Sequence, residues 1–226
     1  MSDQLPLAFP HEPSLTAADF LPHPGARLAL EFLGATLSWP AGRLALWGGA
    51  GVGKTHLLHI WAREEGASIV DGPSLREPFW PEGAVAVDDC DRPGSEEALL
   101  HVLNAAAEGG RPVLLAGSRP PARTPFRLPD LASRLRATMS VEIGPVDDEF
   151  RASLFARLLA ERQLPVPPTL QAWMLTRLPR SQAALREAVQ QLDYAALAAK
   201  SGVTRALAAA ALRRLLSPEP IEEAPP

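Results

Sequence analysis

Residues 43–55 read Arg43-Leu44-Ala45-Leu46-Trp47-Gly48-Gly49-Ala50-Gly51-Val52-Gly53-Lys54-Thr55, an apolar run followed by a glycine-rich turn that closes on Lys-Thr. From Gly48 onward the stretch fits G-x-x-x-x-G-K-[ST]. Its setting is the one in which that motif has a mechanism: a buried strand before it, and a helix through His56-Leu57-Leu58-His59-Ile60-Trp61 after it. The glycines let the backbone bend so that several N–H groups converge on an anion. The helix N-terminus adds positive partial charge. Lys54 then supplies a compact ammonium to the β- and γ-phosphates, and Thr55 a hydroxyl to Mg²⁺. Lys54 and Lys200 are the only lysines in a chain with 22 basic residues. Arginine has replaced lysine almost everywhere else, but its planar fork is no substitute for a point charge here. Gly48, Gly49, Ala50, Gly51, Val52, Gly53, Lys54, Thr55 and the adjoining His56 are therefore read as the cofactor site, with ADP or ATP and Mg²⁺ as cofactors.

Val85-Ala86-Val87-Asp88-Asp89 is the expected second half. A buried strand delivers a carboxylate beside the phosphate turn to hold Mg²⁺. Asp88 is assigned that role with Thr55, and Asp89 stands where a water-activating carboxylate belongs. His56 and His59 are spaced as a metal pair, but no third ligand has suitable spacing, so packing or solvent exposure is the preferred reading. Cys90 has no thiol or histidine partner in sequence and reads as structural.

Working outward, apolar spacing predicts an amphipathic helix over 27–38, carried by Leu28, Leu30, Phe32, Leu33 and Leu37. Strands are predicted at 43–48, 68–70, 84–89, 112–118 and 140–144. Between them lie the helix after Thr55, a helix over 95–110 capped by Ser95 and closed by Gly109 and Gly110, and a helix around Leu128–Leu135. Strands alternating with helices imply a parallel sheet covered on both faces. After Pro145 only helices are expected, to about residue 216. The predicted fold class is thus α/β, a parallel sheet flanked by helices followed by a small all-α domain. The domain boundaries read as an arm over 1–25, a nucleotide-binding domain over 26–146, a helical domain over 147–216 and a tail over 217–226. The arm and tail are expected to be extended and mostly disordered.

The chain has 226 residues and a net charge of −4. That balance argues against non-specific nucleic-acid binding, which needs a basic footprint. One cysteine excludes an intramolecular disulfide and fits a reducing compartment. Neither a signal peptide nor a membrane-spanning run is expected, so a cytoplasmic protein with no membrane partner is anticipated.

The segments GGAGVGKTHLLHIW, AVAVDD, VLLAGSRPP and LASRLRATMSVEIGPVDD resemble, in order and spacing, the AAA+ module of the bacterial replication initiator DnaA. The resemblance covers about residues 20–216. Because the chain stops after the helical lid, it is most similar to the Hda group of DnaA-related regulators, which lack the DNA-reading domain. That resemblance implies a contact for the arm. Gln4-Leu5-Pro6-Leu7-Ala8-Phe9 looks like the Q-L-x-L-x-F peptide that docks on the DNA polymerase sliding clamp, with Gln4, Leu5, Leu7 and Phe9 as the binding residues. It also implies a role. Clamp-bound regulators of this group contact DnaA, stimulate hydrolysis of its ATP and so restrain replication initiation, meeting DNA only through the clamp. A protein similar to them would associate with the nucleoid and replisome. Arg134 matches the family's arginine finger, with Arg136 in reserve.

Two positions depart from the family pattern. Ser118 replaces the Asp more usual at the end of the third strong strand, where it would orient water or phosphate. Ala183 occupies the place of the nucleotide-sensing lid arginine; Arg180 and Arg186 flank it, and Arg186 is carried as the cofactor contact. A helicase loader or ATP-driven remodeller is the competing reading, and a small-molecule kinase a third. The preferred nucleotide, the chain's own ATP turnover and homo-oligomerisation are left open.

Overall fold

The apolar run before the glycine turn becomes β1 (Arg43–Trp47), and its burial explains the sheet around it. In the computed structural model, residues 15–199 and 202–216 are described; the arm residues Gln4, Leu5, Leu7 and Phe9 lie outside them. The chain divides into two compact units, one of Ser14–Val146 and one carrying Asp147 onward.

In the first unit β1 joins β2 (Ser68–Asp71), β3 (Val85–Asp88), β4 (Val113–Gly117) and β5 (Met139–Glu142) in one sheet of order β2-β3-β4-β1-β5. All four pairings are parallel. Trp47 stands opposite Gly117 on β4 and Glu142 on β5, so three strands end at one edge, where the glycine turn begins. Alternation divides the core between the faces. Leu44 and Leu46 pack with Leu57, Leu58 and Trp61 of α2 (Lys54–Glu65) and with Ala29 and Leu33 of α1 (Arg27–Leu33). Ala45, Val85, Val113 and Leu115 pack with Leu99, Val102 and Leu103 of α3 (Glu96–Glu108) and Leu131 and Leu135 of α4 (Pro129–Arg136). Ser95 caps α3 by accepting from the Ala98 N–H at 3.1 Å. Hydrophobic strands covered on both faces are what a parallel sheet requires.

Two expectations are corrected. The helix predicted over 27–38 ends at Leu33, with Gly34 as its C-cap, and Thr36–Ser38 form a separate 3₁₀ turn. That turn is held by Trp61, whose indole N–H donates to Thr36 Oγ1 at 3.0 Å, and by Trp39, which stacks on Trp61 and donates to the Phe32 carbonyl. Leu37 is left fully exposed rather than on an apolar stripe. Second, residues 15–25 are packed rather than extended. Phe20 and His23 are buried, and Gly25 lies against the end of β5. Gly144 donates its N–H to the Gly25 carbonyl at 3.0 Å, and a Cβ on Gly25 would come within 2.7 Å of the Gly144 oxygen.

The second unit contains α5 (Asp148–Glu161), α6 (Pro168–Leu175), α7 (Gln182–Ala199) and α8 (Arg205–Leu216). Leu154, Phe155, Met174, Leu185, Val189 and Leu212 are among its buried residues. Asp147 caps α5 by accepting from the Phe150 N–H at 2.7 Å. Arg151 is buried and donates to the carbonyls of Leu175, Leu178 and Pro179, tying α5 to the end of α6.

Gly25→Ala is expected to destabilise the protein by about 1–3 kcal/mol, since the clash is with backbone rather than a flexible side chain. Thermal unfolding measures it, and an unchanged midpoint would show that the 15–25 segment is not packed on β5.

Candidate nucleotide site

Every part of the site comes from the edge where β1, β3 and β4 end, the edge at which open α/β sheets bind ligands. Gly51 and Gly53 take positive φ angles of 75° and 105°, which only glycine adopts freely. α2 begins at Lys54 with no acidic residue in its first turn and no side-chain cap, so its N-terminal positive field is not neutralised by its own residues. Lys54 folds back over the turn, and Nζ donates to the carbonyls of Gly48 (2.9 Å) and Gly49 (2.8 Å). Burial pulls its pKa below the ordinary lysine value, against the opposing pull of Asp88, Asp89 and Asp91.

Thr55 and Asp88 meet as the sequence anticipated. Thr55 Oγ1 donates to Asp88 Oδ2 at 2.7 Å, joining α2 to the end of β3. A hydroxyl and a carboxylate oxygen side by side next to a phosphate turn are hard oxygen donors that suit Mg²⁺. The fit to a nucleotide rests on a helix N-terminus with no acidic residue or side-chain cap of its own, the positive-φ glycines and the Lys54 ammonium. Among the described residues no group of three His, Cys, Asp or Glu side chains gathers to form a metal site of its own.

Asp89 and Ser118 are each tied to another residue. Asp89 sits in the turn after β3 with φ +48° and is ion-paired with Arg92 at 2.6 Å. A water-activating role for Asp89 has to compete with that guanidinium. Ser118 is gripped by Asp91, which accepts from both its backbone N–H (3.1 Å) and its hydroxyl. Asp91 is thus a site residue that motif reading missed. Its signal was present in Asp88-Asp89-Cys90-Asp91, three carboxylates within four positions, but nothing in the spacing says that the third turns onto the neighbouring strand. Cys90 is buried, and burial together with the adjacent carboxylates pushes its thiol far above the ordinary range, so it is inert.

A second omission is the segment before α1. His23 Nε2 meets the Val52 carbonyl at 3.0 Å, and Phe20 lies against Gly53, where a Cβ would approach its ring within 2.9 Å. His56 Nε2 meets the Thr16 carbonyl at 2.8 Å and stands edge-on to Phe20. His56 therefore holds this strap, and its ring does not stand free beside the cradle.

Arg134 is set apart from these groups. It lies in the last turn of α4, which leads into the start of β5 and hence toward the opposite edge of the sheet. With Leu100, Asn104, Asp130 and Ser133 it lines a groove of about 370 Å³ between α3 and α4. Arg136 is exposed. In the helical unit Arg180 is ion-paired with Asp148, so one of the two candidate lid arginines already has a carboxylate partner. Arg186 is half-buried on α7 and Ala183 exposed.

No family model matches the chain. Among solved structures it is similar to domain III of the Thermotoga maritima replication initiation protein DnaA, with TM-score 0.72 and 19% identity over 93% of this chain and all of that one. AMPPCP-bound DnaA from Aquifex aeolicus gives TM-score 0.63 and 18% identity over 79% of this chain, which spans only 65% of that DnaA. A RuvB variant from Thermotoga maritima gives TM-score 0.64 and 16% identity over 88% of this chain and 71% of that one. The fold is like that of DnaA domain III and of RuvB, a five-stranded parallel sheet flanked by helices with a helical part after it. Among the described residues no helix is long and apolar enough to cross a membrane.

Two outcomes are expected. Lys54→Ala should weaken ADP binding at least about a hundredfold by calorimetry, since a charge-assisted phosphate contact and the ammonium's field are both lost; equal affinity would remove the cradle assignment. The Arg180 partnership, then that with Arg151, holds the Asp148 carboxyl below the ordinary range. Its share of stability is present above the unfolded-state pKa and lost as pH falls through the folded-state value. Arg180→Ala should raise the Asp148 pKa, read by NMR titration of its side-chain carboxyl, and flatten the acid limb of the stability profile.

Proposed function

We propose that this chain is a nucleotide-binding AAA+ regulator of replication initiation, which docks on the sliding clamp and stimulates hydrolysis of ATP bound to DnaA. The observation that carries the reading is the division of labour between the two edges of the sheet. The phosphate cradle Lys54–Thr55–Asp88 stands at the edge where β1 and β3 end, whereas Arg134 is carried in the last turn of α4, toward the other. A cation so placed serves a nucleotide held by a neighbouring molecule better than one in its own cradle.

In this reading the cradle holds ADP or ATP through the Gly48–Gly53 backbone and Lys54, while Thr55 and Asp88 hold Mg²⁺. The metal's chemistry is to neutralise phosphate charge. Arg134 reaches the γ-phosphate of the nucleotide on DnaA and stabilises the charge that develops there as the phosphoryl group transfers. Asp89, paired with Arg92, is poorly placed for activating water, which favours a nucleotide kept as a ligand over rapid turnover. The segment Gln4–Phe9 supplies the clamp contact: Leu7 and Phe9 fill an apolar pocket and Gln4 bonds at its rim. Such a protein works in the cytoplasm at the replisome, and meets DNA through the clamp.

Binding of the full chain to its own purified clamp should be lost in the Gln4→Ala, Phe9→Ala double variant. Arg134→Ala should keep clamp and ADP binding yet reduce stimulated hydrolysis of DnaA-bound ATP by about 10³-fold. Absence of clamp binding by the parent would return the helicase-loader reading to the front.

A further inference from the structure

The net charge of −4 is not evenly spread. Residues 147–216 carry ten Arg and Lys against six Asp and Glu, so the helical unit is basic, while the rest of the chain carries twelve against twenty. A balance taken over the whole chain therefore says little about this unit's partners. Three of its carboxylates are committed: Asp147 caps α5, Asp148 pairs with Arg151 and Arg180, and Glu161 pairs with Arg157. Arg177, Arg205, Arg213 and Arg214 are exposed, and among the described residues none of them has a carboxylate partner.

Two of these arginines are held in place. The Arg177 guanidinium lies 4.5 Å from the centroid of the Trp173 ring and that of Arg205 lies 5.1 Å from it. One side chain of α6 thus gathers a cation from just beyond its own helix and another from the first residue of α8. Arg177 Nη1 also donates to the Trp173 carbonyl at 3.0 Å and to Thr176 Oγ1 at 2.9 Å. Contact with the ring offsets part of the repulsion between the like charges, but supplies no anion. The two groups stand less than about 10 Å apart, a length over which one strand of a duplex presents about three phosphates. Arg213 follows Arg205 by two turns of α8, about 12 Å along its axis. The result is a row of positive charge rather than a point that suits one anion.

We propose that this row is an interaction surface for the phosphate backbone of duplex DNA. Guanidinium forks match phosphate oxygens, and evenly repeated phosphates match a row of cations better than the scattered carboxylates of a protein do. The Trp173 ring is already taken by two guanidinium groups, so it is not a free platform for the bases of a single strand. Contacts of this kind position a protein on DNA and read no sequence. The surface adds a direct contact to the one made through the clamp. It stands without the proposed function, and only its use beside a clamp depends on that reading.

The test is fluorescence anisotropy of a labelled duplex of about 20 base pairs with the full chain, ADP and no clamp, from about 50 to 200 mM salt. The parent should bind at the low end of that range whatever the duplex sequence. The Arg177→Gln, Arg205→Gln double variant should bind about tenfold more weakly there, with a dependence of log Kd on log salt shallower by about 2. Arg177→Lys, Arg205→Lys should keep most of that slope, because the charges remain. Both residues are exposed, so the thermal unfolding midpoints of these variants should match the parent. No binding by the parent overturns the inference, as does equal binding by the glutamine variant. Tighter binding of a single strand of the same length, or displacement of the duplex by polyglutamate at equal charge, overturns the assignment to duplex DNA. Binding seen only in a Glu219→Gln, Glu222→Gln, Glu223→Gln variant would give the row to the chain's own acidic tail and overturns it too. Clamp binding through Gln4 and Phe9 is read separately, so its failure strikes the proposed function alone.

Discussion

A phosphate cradle is useful only if its backbone cannot relax, and here that rigidity comes from burying β1 between β4 and β5. Leu44, Ala45 and Leu46 are almost wholly shielded, and hydrogen-bonded neighbours run parallel on both sides. The chain leaves this strand at Trp47 in a fixed direction and must reverse within a few residues to start α2. The Thr55–Asp88 bond then ties the first turn of α2 to β3, two strands away in the sheet order. Phosphate turn, helix N-terminus and acidic strand end are therefore set by one packing solution.

That dependence explains what was legible in the sequence. The three central strands β1, β3 and β4 and the helices between the strands follow from apolar runs and glycine punctuation, signals that burial on both faces makes strong, whereas β2 and β5 are largely exposed and leave a weaker trace. The meeting of Thr55 with Asp88, and the folding of Lys54 over the glycine turn, were readable because backbone geometry within a few residues sets where each side chain stands. Asp91 was not, because its partner Ser118 lies 27 positions away on the next strand. The end of α1 was misread because Leu37 sits at a helical spacing that Gly34 and the bonds of Trp39 and Trp61 override.

The strap over residues 16–26 was missed for a different reason. Pro22 and Pro24 interrupt it, and its apolar positions follow neither helix nor strand spacing, so it reads as an unfolded segment. Its order comes from a few contacts to already rigid backbone: His23 on Val52, Phe20 on Gly53, the Thr16 carbonyl on His56, Gly25 on Gly144. None of those pairings leaves a periodic trace in sequence.

The same strap sets the order in which the first unit comes apart. It is held by two histidine–carbonyl bonds, one aromatic ring and one backbone bond, against a sheet whose central strands are sealed on both faces. Its opening is a local event that costs less than global unfolding. When it lifts, Val52, Gly53 and His56 lose their outer cover while β1 stays paired. Amide exchange in the glycine turn is then governed by strap opening, and amide exchange in β1 by loss of the whole sheet.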